Sequence, residues 1–388
     1  MDVQPFKIQV PEETLTDLQE RLAQTRWSDE IPGSDWEYGT NLAYLQELVD
    51  YWRTSFNWRA QEEAFNRFSH FRADLDGLGI HFIHERGKGP NPMPLVITHG
   101  WPGSFFEMSK ITPLLTDPAS HGGDAADAFH VVTPSMPGYG FSDHPTKPGM
   151  HVLRVSDLWV KLMTEGLGYN RFGAQGGDWG ASVTAYLGFA YPENLIGIHL
   201  TSMTRPTPYL GPGSSPLSEA EQAFMKQREE WLQAEGGYSH IQGTKPQTLS
   251  YGLNDSPAGL AAWLVEKYRA WSDCGGNVEK RFTKDELLTT ITIYWVTQSI
   301  NSSTRLYYEN AKETAKHPWE MKQGERISVP AAMAVFPREI SHPPREWGER
   351  SFNVQRWTEM PSGGHFAALE EPERLAEDIR AFFRPLRD

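Results

Sequence analysis

The chain has 388 residues, and 36 Lys and Arg against 50 Asp and Glu leave a net charge of −14. So acidic a surface repels phosphate backbones and anionic lipid, which argues against nucleic-acid and membrane-surface roles. A single cysteine, Cys274, excludes an internal disulfide framework, while 12% aromatic residues offer ring surface to fill a core or line an apolar cavity.

The first residues, Met1 to Val10, mix Asp2, Gln4, Pro5 and Lys7 and contain no cleavable apolar region. No run approaches the ~18 apolar residues that span a bilayer. The nearest, Leu287–Val296, is broken by threonines. A soluble, cytoplasmic protein is expected.

Pro11 suits a helix N1 position, and Leu15, Leu18 and Leu22 follow at helical spacing. Leu42, Leu45, Val49 and Trp52 mark a second amphipathic helix. Asp76-Gly77 separates two strand-like runs, Phe71–Leu75 and Leu78–His84, as a hairpin turn does. Short apolar runs then alternate with helical stretches. Strands are predicted at Leu95–Thr98, Phe129–Thr133, Arg171–Gln175 and Leu195–Leu200, with helices at Ser156–Gly166 and Ala181–Tyr191. Such alternation builds right-handed βαβ units and a largely parallel sheet covered on both faces.

The alternation breaks at Thr204–Pro216, a Pro-, Gly- and Ser-rich linker. From Ser218 to about Glu325 the signals are helical and aromatic, as in Leu260–Trp271 and Asp285–Ile300. Strands return at Val329–Phe336 and Phe352–Trp357, and Pro372–Phe383 closes the chain as a helix. The expected organisation is an N-terminal helical extension leading into the first strands (1–85), a first core part (86–205), a helical lid (206–325) and a second core part (326–388).

Gly176-Gly177-Asp178-Trp179-Gly180 falls between a predicted strand and helix. Small residues flank a central side chain where a tight turn lifts that side chain above a sheet. A lifted carboxylate attacks sp³ carbon and leaves an alkyl ester. Taken alone, the turn reads equally as a glycine-rich helix start capped by Asp178. His99-Gly100-Trp101-Pro102 follows the third predicted strand, where a backbone N–H can join that of Trp179 as an oxyanion donor. Trp101 and Trp179 are the expected donors.

Gly363-Gly364-His365-Phe366 follows the last strand, and position singles out His365 among 13 histidines. Chain order nucleophile, acid, histidine places the orienting acid after an earlier strand. Glu339, in Phe336-Pro337-Arg338-Glu339, is the candidate, with Glu346 as the alternative.

These motifs resemble those of the epoxide hydrolase branch of the α/β-hydrolases, specifically the microsomal and juvenile-hormone group. The resemblance runs from Thr25-Arg26-Trp27 to Gly363-Gly364-His365-Phe366-Ala367-Ala368 and includes Gly237-Tyr238-Ser239-His240 and Ser303-Thr304-Arg305-Leu306-Tyr307-Tyr308 in the insertion. It implies an α/β-hydrolase fold with a helical lid whose two tyrosines point at the epoxide oxygen. Their positions carry over to Tyr238 and Tyr307, with Tyr308 one residue away. It further implies a small-molecule epoxide and water as the reactants, with Asp178, His365 and Glu339 as catalytic residues. There is no HExxH, P-loop or CxxC pattern, so no cofactor or metal is expected. Membrane-bound members of the group carry an N-terminal anchor, and this chain begins almost at once with the segment after it, as a soluble bacterial-type member would. That segment either wraps the same core or supports a homodimer.

Two alternatives stand beside this one. A haloalkane dehalogenase also uses Asp, His and an acid on this fold, with tryptophans near the nucleophile. A ligand-binding homologue without activity keeps the fold alone.

Overall fold

The computed structural model describes residues 2–387. One edge of its nine-stranded sheet is antiparallel: β1 (Val3–Pro5) pairs with β2 (His70–Leu75), which pairs with β3 (Leu78–Glu85). Asp76 and Gly77 take φ of 56° and 82°, the left-handed pair that a two-residue hairpin requires. Between β1 and β2 lie α1 (Glu12–Ala23), α2 (Leu42–Thr54) and α3 (Trp58–Phe65). Pro11 sits at the N-cap of α1, one position before the expected N1. The sequence reading did not contain β1 or α3, because three and eight residues are too short for a periodic signal.

The remaining strands are parallel. They are β4 (Met93–Thr98), β5 (Phe129–Pro134), β6 (Phe172–Gly176), β7 (Leu195–Leu200), β8 (Ile327–Val335) and β9 (Phe352–Glu359). The order is β1-β2-β3-β5-β4-β6-β7-β8-β9. Helices α4 (Ile111–Thr116), α5 (Val152–Lys161) and α6 (Asp178–Ala190) connect β4 to β7. The parallel sheet is the one expected from the strand–helix alternation, in the α/β-hydrolase arrangement that the resemblance implied. The chain steps from β4 outward to β5 and then back across to β6, so the strand order reverses between β4 and β6. Open α/β sheets place ligands at the carboxyl ends of such strands.

Six helices are inserted between β7 and β8: α7 (Glu219–Glu235), α8 (Gly237–Thr244), α9 (Pro246–Leu253), α10 (Pro257–Trp271), α11 (Lys284–Val296) and α12 (Ile300–Lys316). Ser218 with Glu221 and Thr283 with Glu286 close reciprocal capping boxes at α7 and α11. After β8 come α13 (Arg345–Glu349), then β9, α14 (Ala367–Glu370) and α15 (Pro372–Phe383).

Apolar layers cover both sheet faces. On one, Val155, Trp159, Val183 and Leu187 from α5 and α6 are buried; on the other, Ile111, Leu115, Ile379 and Phe383 from α4 and α15. The N-terminal segment wraps the same chain's core: Ile8, Val10 and Trp58 join Phe105, Phe106 and Ile293 of the lid and core in a third cluster. Among the described residues no helix is long and apolar enough to cross a membrane.

Candidate active site

Asp178 opens α6 directly above the end of β6, with φ 49°, a left-handed angle costly for a residue with a Cβ. Close packing explains the glycines around it. A Cβ on Gly176 would come 2.2 Å from the carbonyl oxygen of Gly180, and one on Gly180 would come 2.0 Å from that of Thr98. The turn is fixed from below, where the Asp178 N–H donates to Ser202 Oγ at 2.9 Å just past β7.

The loop after β4 approaches from the other side of the strand reversal. A Cβ on Gly100 would meet Asp178 Oδ1 at 2.2 Å, so glycine lets the backbone close on the carboxylate. There the Trp101 N–H donates to Asp178 Oδ1 at 2.8 Å. The Trp179 N–H also favours the ionised carboxyl, although only the Trp101 amide reaches full hydrogen-bond geometry. His99 props this loop: its Nδ1 bonds the Gly100 carbonyl at 3.0 Å and its Nε2 accepts from the Met136 N–H at 3.2 Å. Those roles suit a neutral ring, and burial holds its pKa down to about 4.

His365 lies between two carboxylates. Its Nδ1 is 2.7 Å from Glu339 Oε1, and its Nε2 is 3.6 Å from Asp178 Oδ2. Glu339 is 3% exposed and also accepts from the Ile340 N–H at 2.7 Å. The acid and histidine loops are zipped together, the Arg338 N–H donating to the Gly363 carbonyl at 3.1 Å. The lid holds the histidine from above: the His365 N–H donates to the Trp271 carbonyl at 2.9 Å, at the end of α10. Glu346 is elsewhere, at the start of α13, accepting from Ser218 Oγ at 2.9 Å.

Burial opposes charge on both partners of this array. It raises the Asp178 carboxyl above the usual carboxylate range, with His365 and the two tryptophan amides pulling it back. Burial also resists protonation of His365, but Glu339, Asp178 and Glu107 prevail and lift its pKa to about 9.

The lid brings Tyr238, on α8, and Tyr307, on α12, over the carboxylate; they are 8% and 6% exposed. Tyr238 stacks on Trp101 with ring centroids 5.4 Å apart, and Tyr307 meets Trp179 edge-on at 4.8 Å. Burial and the Asp178 charge raise both phenols above their ordinary pKa, so they stay neutral. Tyr308 points outward and is 38% exposed. Both tyrosines, Asp178 and Trp179 line a cavity of about 340 Å³ whose wall includes Trp231, Leu232 and Ile340.

One residue escaped the sequence reading. Glu107, in the 3₁₀ turn Phe105–Ser109 after the Trp101 loop, borders a second pocket of about 20 Å³ with Asp178 and His365. A space of ~10–15 Å³ already holds one water. Glu107 keeps some accessible surface, yet burial, reinforced by Asp178 and opposed by His365, pushes its pKa up to about 8. Set between Phe106 and Met108 in one short turn, it carried no pattern that sequence alone could single out.

A sharp strand-to-helix turn bearing a carboxylate, backed by a Glu–His pair and roofed by a helical lid, defines an α/β-hydrolase with an acidic elbow residue. Two family models match the chain, the epoxide hydrolase N terminus over residues 3–108 and the α/β-hydrolase fold over residues 93–235. Epoxide hydrolase 1 of Oryctolagus cuniculus is 40% identical, the alignment covering 98% of this chain and 88% of that protein. The chain belongs to the epoxide hydrolase family. Among solved structures, the juvenile hormone epoxide hydrolase of the silkworm Bombyx mori matches with a TM-score of 0.88 at 29% identity, over 100% of this chain and 95% of that one. The Aspergillus niger epoxide hydrolase matches with a TM-score of 0.86 at 28% identity, over 100% and 97%.

Proposed function

We propose that the protein hydrolyses a bulky, apolar or aromatic epoxide to a vicinal diol through an ester on Asp178. The observation that carries this reading is the division of labour at one carboxylate. Oδ1 is held by the Trp101 amide, while Oδ2 is free of any such bond, and the carboxylate shares its cavity with two neutral phenols. Oδ2 attacks one ring carbon, the C–O bond breaks, and its electron pair goes to the ring oxygen, which takes a proton from Tyr238 or Tyr307.

Hydrolysis of the ester needs a water beside His365, and the pocket of about 20 Å³ between Glu107, His365 and Asp178 has room for one. Once the ester has formed, His365 passes its resting proton to the phenolate, and the freed Nε2 takes a proton from that water as it adds to the Asp178 carboxyl carbon, while the Trp101 and Trp179 amides stabilise the oxyanion. Collapse releases the diol and restores the carboxylate, with His365 again protonated beside it. His365 is a poor base while Asp178 is charged. Alkylation removes that charge and lowers the histidine pKa at the step where a base is required.

The lining of Trp179, Trp231, Leu232 and Trp319 suits an apolar or aromatic substituent. In this reading residues 206–325 act as the lid over a core formed by 86–205 and 326–388, with 1–85 as its extension.

The test is a single turnover in ¹⁸O-water with enzyme in excess over styrene oxide. The expected first-turnover diol is unlabelled, and the label enters the Asp178 carboxylate, because water attacks the ester and not the ring. Label in that first diol would mean direct attack by water and would overturn the covalent route.

A further inference from the structure

Lysine is poorly suited to a protein interior, yet Lys267 on α10 is only 6% exposed. Among the described residues it is the one lysine that is buried. Its ammonium pairs with the carboxylate of Glu266, the preceding residue, which is itself only partly buried. Lys267 Nζ also lies over the ring of Tyr238, 4.8 Å from its centroid, and 5.7 Å from that of Trp271. Trp271 packs against the same tyrosine at 5.1 Å, and Trp101 stacks on it nearly parallel. The ring of Tyr307 has no such cation over it among the described residues.

Filling this space does not require a charge. Burying an ammonium costs free energy, and leucine or methionine packs on an aromatic ring without that cost. A cation adds what an apolar side chain lacks, attraction to the ring face, which strengthens as the ring gains negative charge. Tyr238 gains such charge when its proton passes to the epoxide oxygen. In the resting protein burial, then the Asp178 charge, disfavours that phenolate; Tyr307 pulls the other way, and Glu339 and Glu266 add to the penalty. Alkylation removes the Asp178 charge but leaves the burial, which a neighbouring cation offsets.

We propose that Lys267 is a positioning residue of the ring-opening step. Its ammonium stabilises negative charge on Tyr238 and so makes that phenol, rather than Tyr307, the one that gives its proton to the epoxide oxygen. The proposal rests on the phenol-assisted ring opening described above and assigns the donor within it. As the Asp178 ester forms, the ring C–O bond breaks, the electron pair stays on oxygen, and the Tyr238 proton neutralises it. The phenolate left behind faces Lys267 until the His365 proton arrives, and Lys267 keeps its own protons throughout.

The experiment measures single-turnover alkylation by styrene oxide through tryptophan fluorescence, and ester hydrolysis through diol release. Lys267→Met keeps the apolar stem and removes the charge. Its alkylation rate is expected to fall roughly tenfold, as a desolvated cation–π contact can supply, with substrate affinity and ester hydrolysis unchanged. Lys267→Arg retains the charge and should keep most of the rate. In a Tyr238→Phe background Lys267→Met should cost nothing further, whereas in a Tyr307→Phe background its full cost should persist. Glu266→Gln removes the opposing charge and should speed alkylation, a change of opposite sign that a packing role would not produce. Glu266 is partly exposed, so that variant keeps the measurement available if Lys267→Met does not fold. Wild-type alkylation in Lys267→Met, an equal further loss in both phenylalanine backgrounds, or slower alkylation in Glu266→Gln overturns the assignment. Wild-type alkylation in the Tyr238→Phe, Tyr307→Phe double variant instead overturns the ring-opening chemistry on which it rests.

Discussion

His365 bonds Glu339 Oε1 through Nδ1 at 2.7 Å, which turns the opposite ring nitrogen, Nε2, toward Asp178. One imidazole therefore senses both carboxylates, one of which is consumed and regenerated in each proposed cycle. That coupling makes the protonation of His365 a readout of the state of Asp178.

Neutralising the elbow residue should therefore lower the histidine pKa. The ring of His365 is raised to about 9 in the resting protein by Glu339, Asp178 and Glu107 acting against burial. In Asp178→Asn, which mimics the uncharged ester, an NMR titration of the ring should give a lower midpoint than in the wild type. An unchanged midpoint would show that Asp178 does not govern the base.

Removing the base should separate the two chemical steps. His365→Gln is expected to alkylate normally and then stall, with intact-protein mass spectrometry detecting the enzyme plus one substrate. Ester hydrolysis should slow by roughly 10²–10⁴-fold, the usual contribution of a positioned base. Full-rate diol formation in this variant would remove His365 from the mechanism.

The lid phenols should act on the other step. Tyr238→Phe and Tyr307→Phe each leave one neutral donor above the carboxylate, so each single variant should slow ester formation by about 10²-fold at most, and the double variant by more. Stopped-flow tryptophan fluorescence can follow alkylation, since Trp101 and Trp179 pack on these rings at 5.4 and 4.8 Å. A double variant that alkylates at the wild-type rate would leave the phenols without a part in ring opening.

Glu107 predicts a pH dependence of stability. Its folded pKa of about 8 exceeds the ordinary carboxyl value of 4.5. The unfolded chain therefore releases this proton first, so its stabilising share is complete below pH 4.5 and is lost as pH rises toward 8. Thermal unfolding from pH 6 to 9 should show a smaller fall in Tm for Glu107→Gln than for the wild type. Equal slopes would mean that Glu107 ionises freely in the folded protein.

The elbow glycines should prove sterically obligatory. In Gly180→Ala the new methyl would lie 2.0 Å from the Thr98 carbonyl oxygen, a contact with backbone that cannot swing away. A loss of about 1–3 kcal/mol in chemical denaturation is expected, as for other overpacked interiors. Wild-type stability would imply that β4 and α6 can separate at little cost.

Some of this was written locally in the chain. Gly176-Gly177-Asp178-Trp179-Gly180 announces itself because a tight strand-to-helix turn excludes side chains from its neighbours, and that constraint acts within five residues. The Asp76-Gly77 hairpin is legible for the same reason, since two successive left-handed angles restrict residue choice. Strand and helix alternation predicts the parallel sheet through hydrophobic period, and it leaves out β1, α3, α4, α13 and α14, which at three to eight residues are too short to show one.

Other assignments needed the folded chain. Glu339 and Glu346 are equivalent in composition, and only the zipper between the Arg338 and Gly363 backbones brings the first to His365 while α13 carries the second away. Tyr307 and Tyr308 are adjacent, and the rotation of α12 buries one over Asp178 and exposes the other. Glu107 carries no motif at all. Its raised pKa arises from desolvation, opposed by His365 and reinforced by Asp178, neighbours distant in sequence. The acidic elbow, the aromatic content and the element order thus belong to the sequence by itself, because short-range sterics and periodicity dictate them. Which carboxylate bonds the histidine and which phenol shares the cavity of Asp178 were decided by tertiary packing, because each depends on distance between residues the chain keeps far apart.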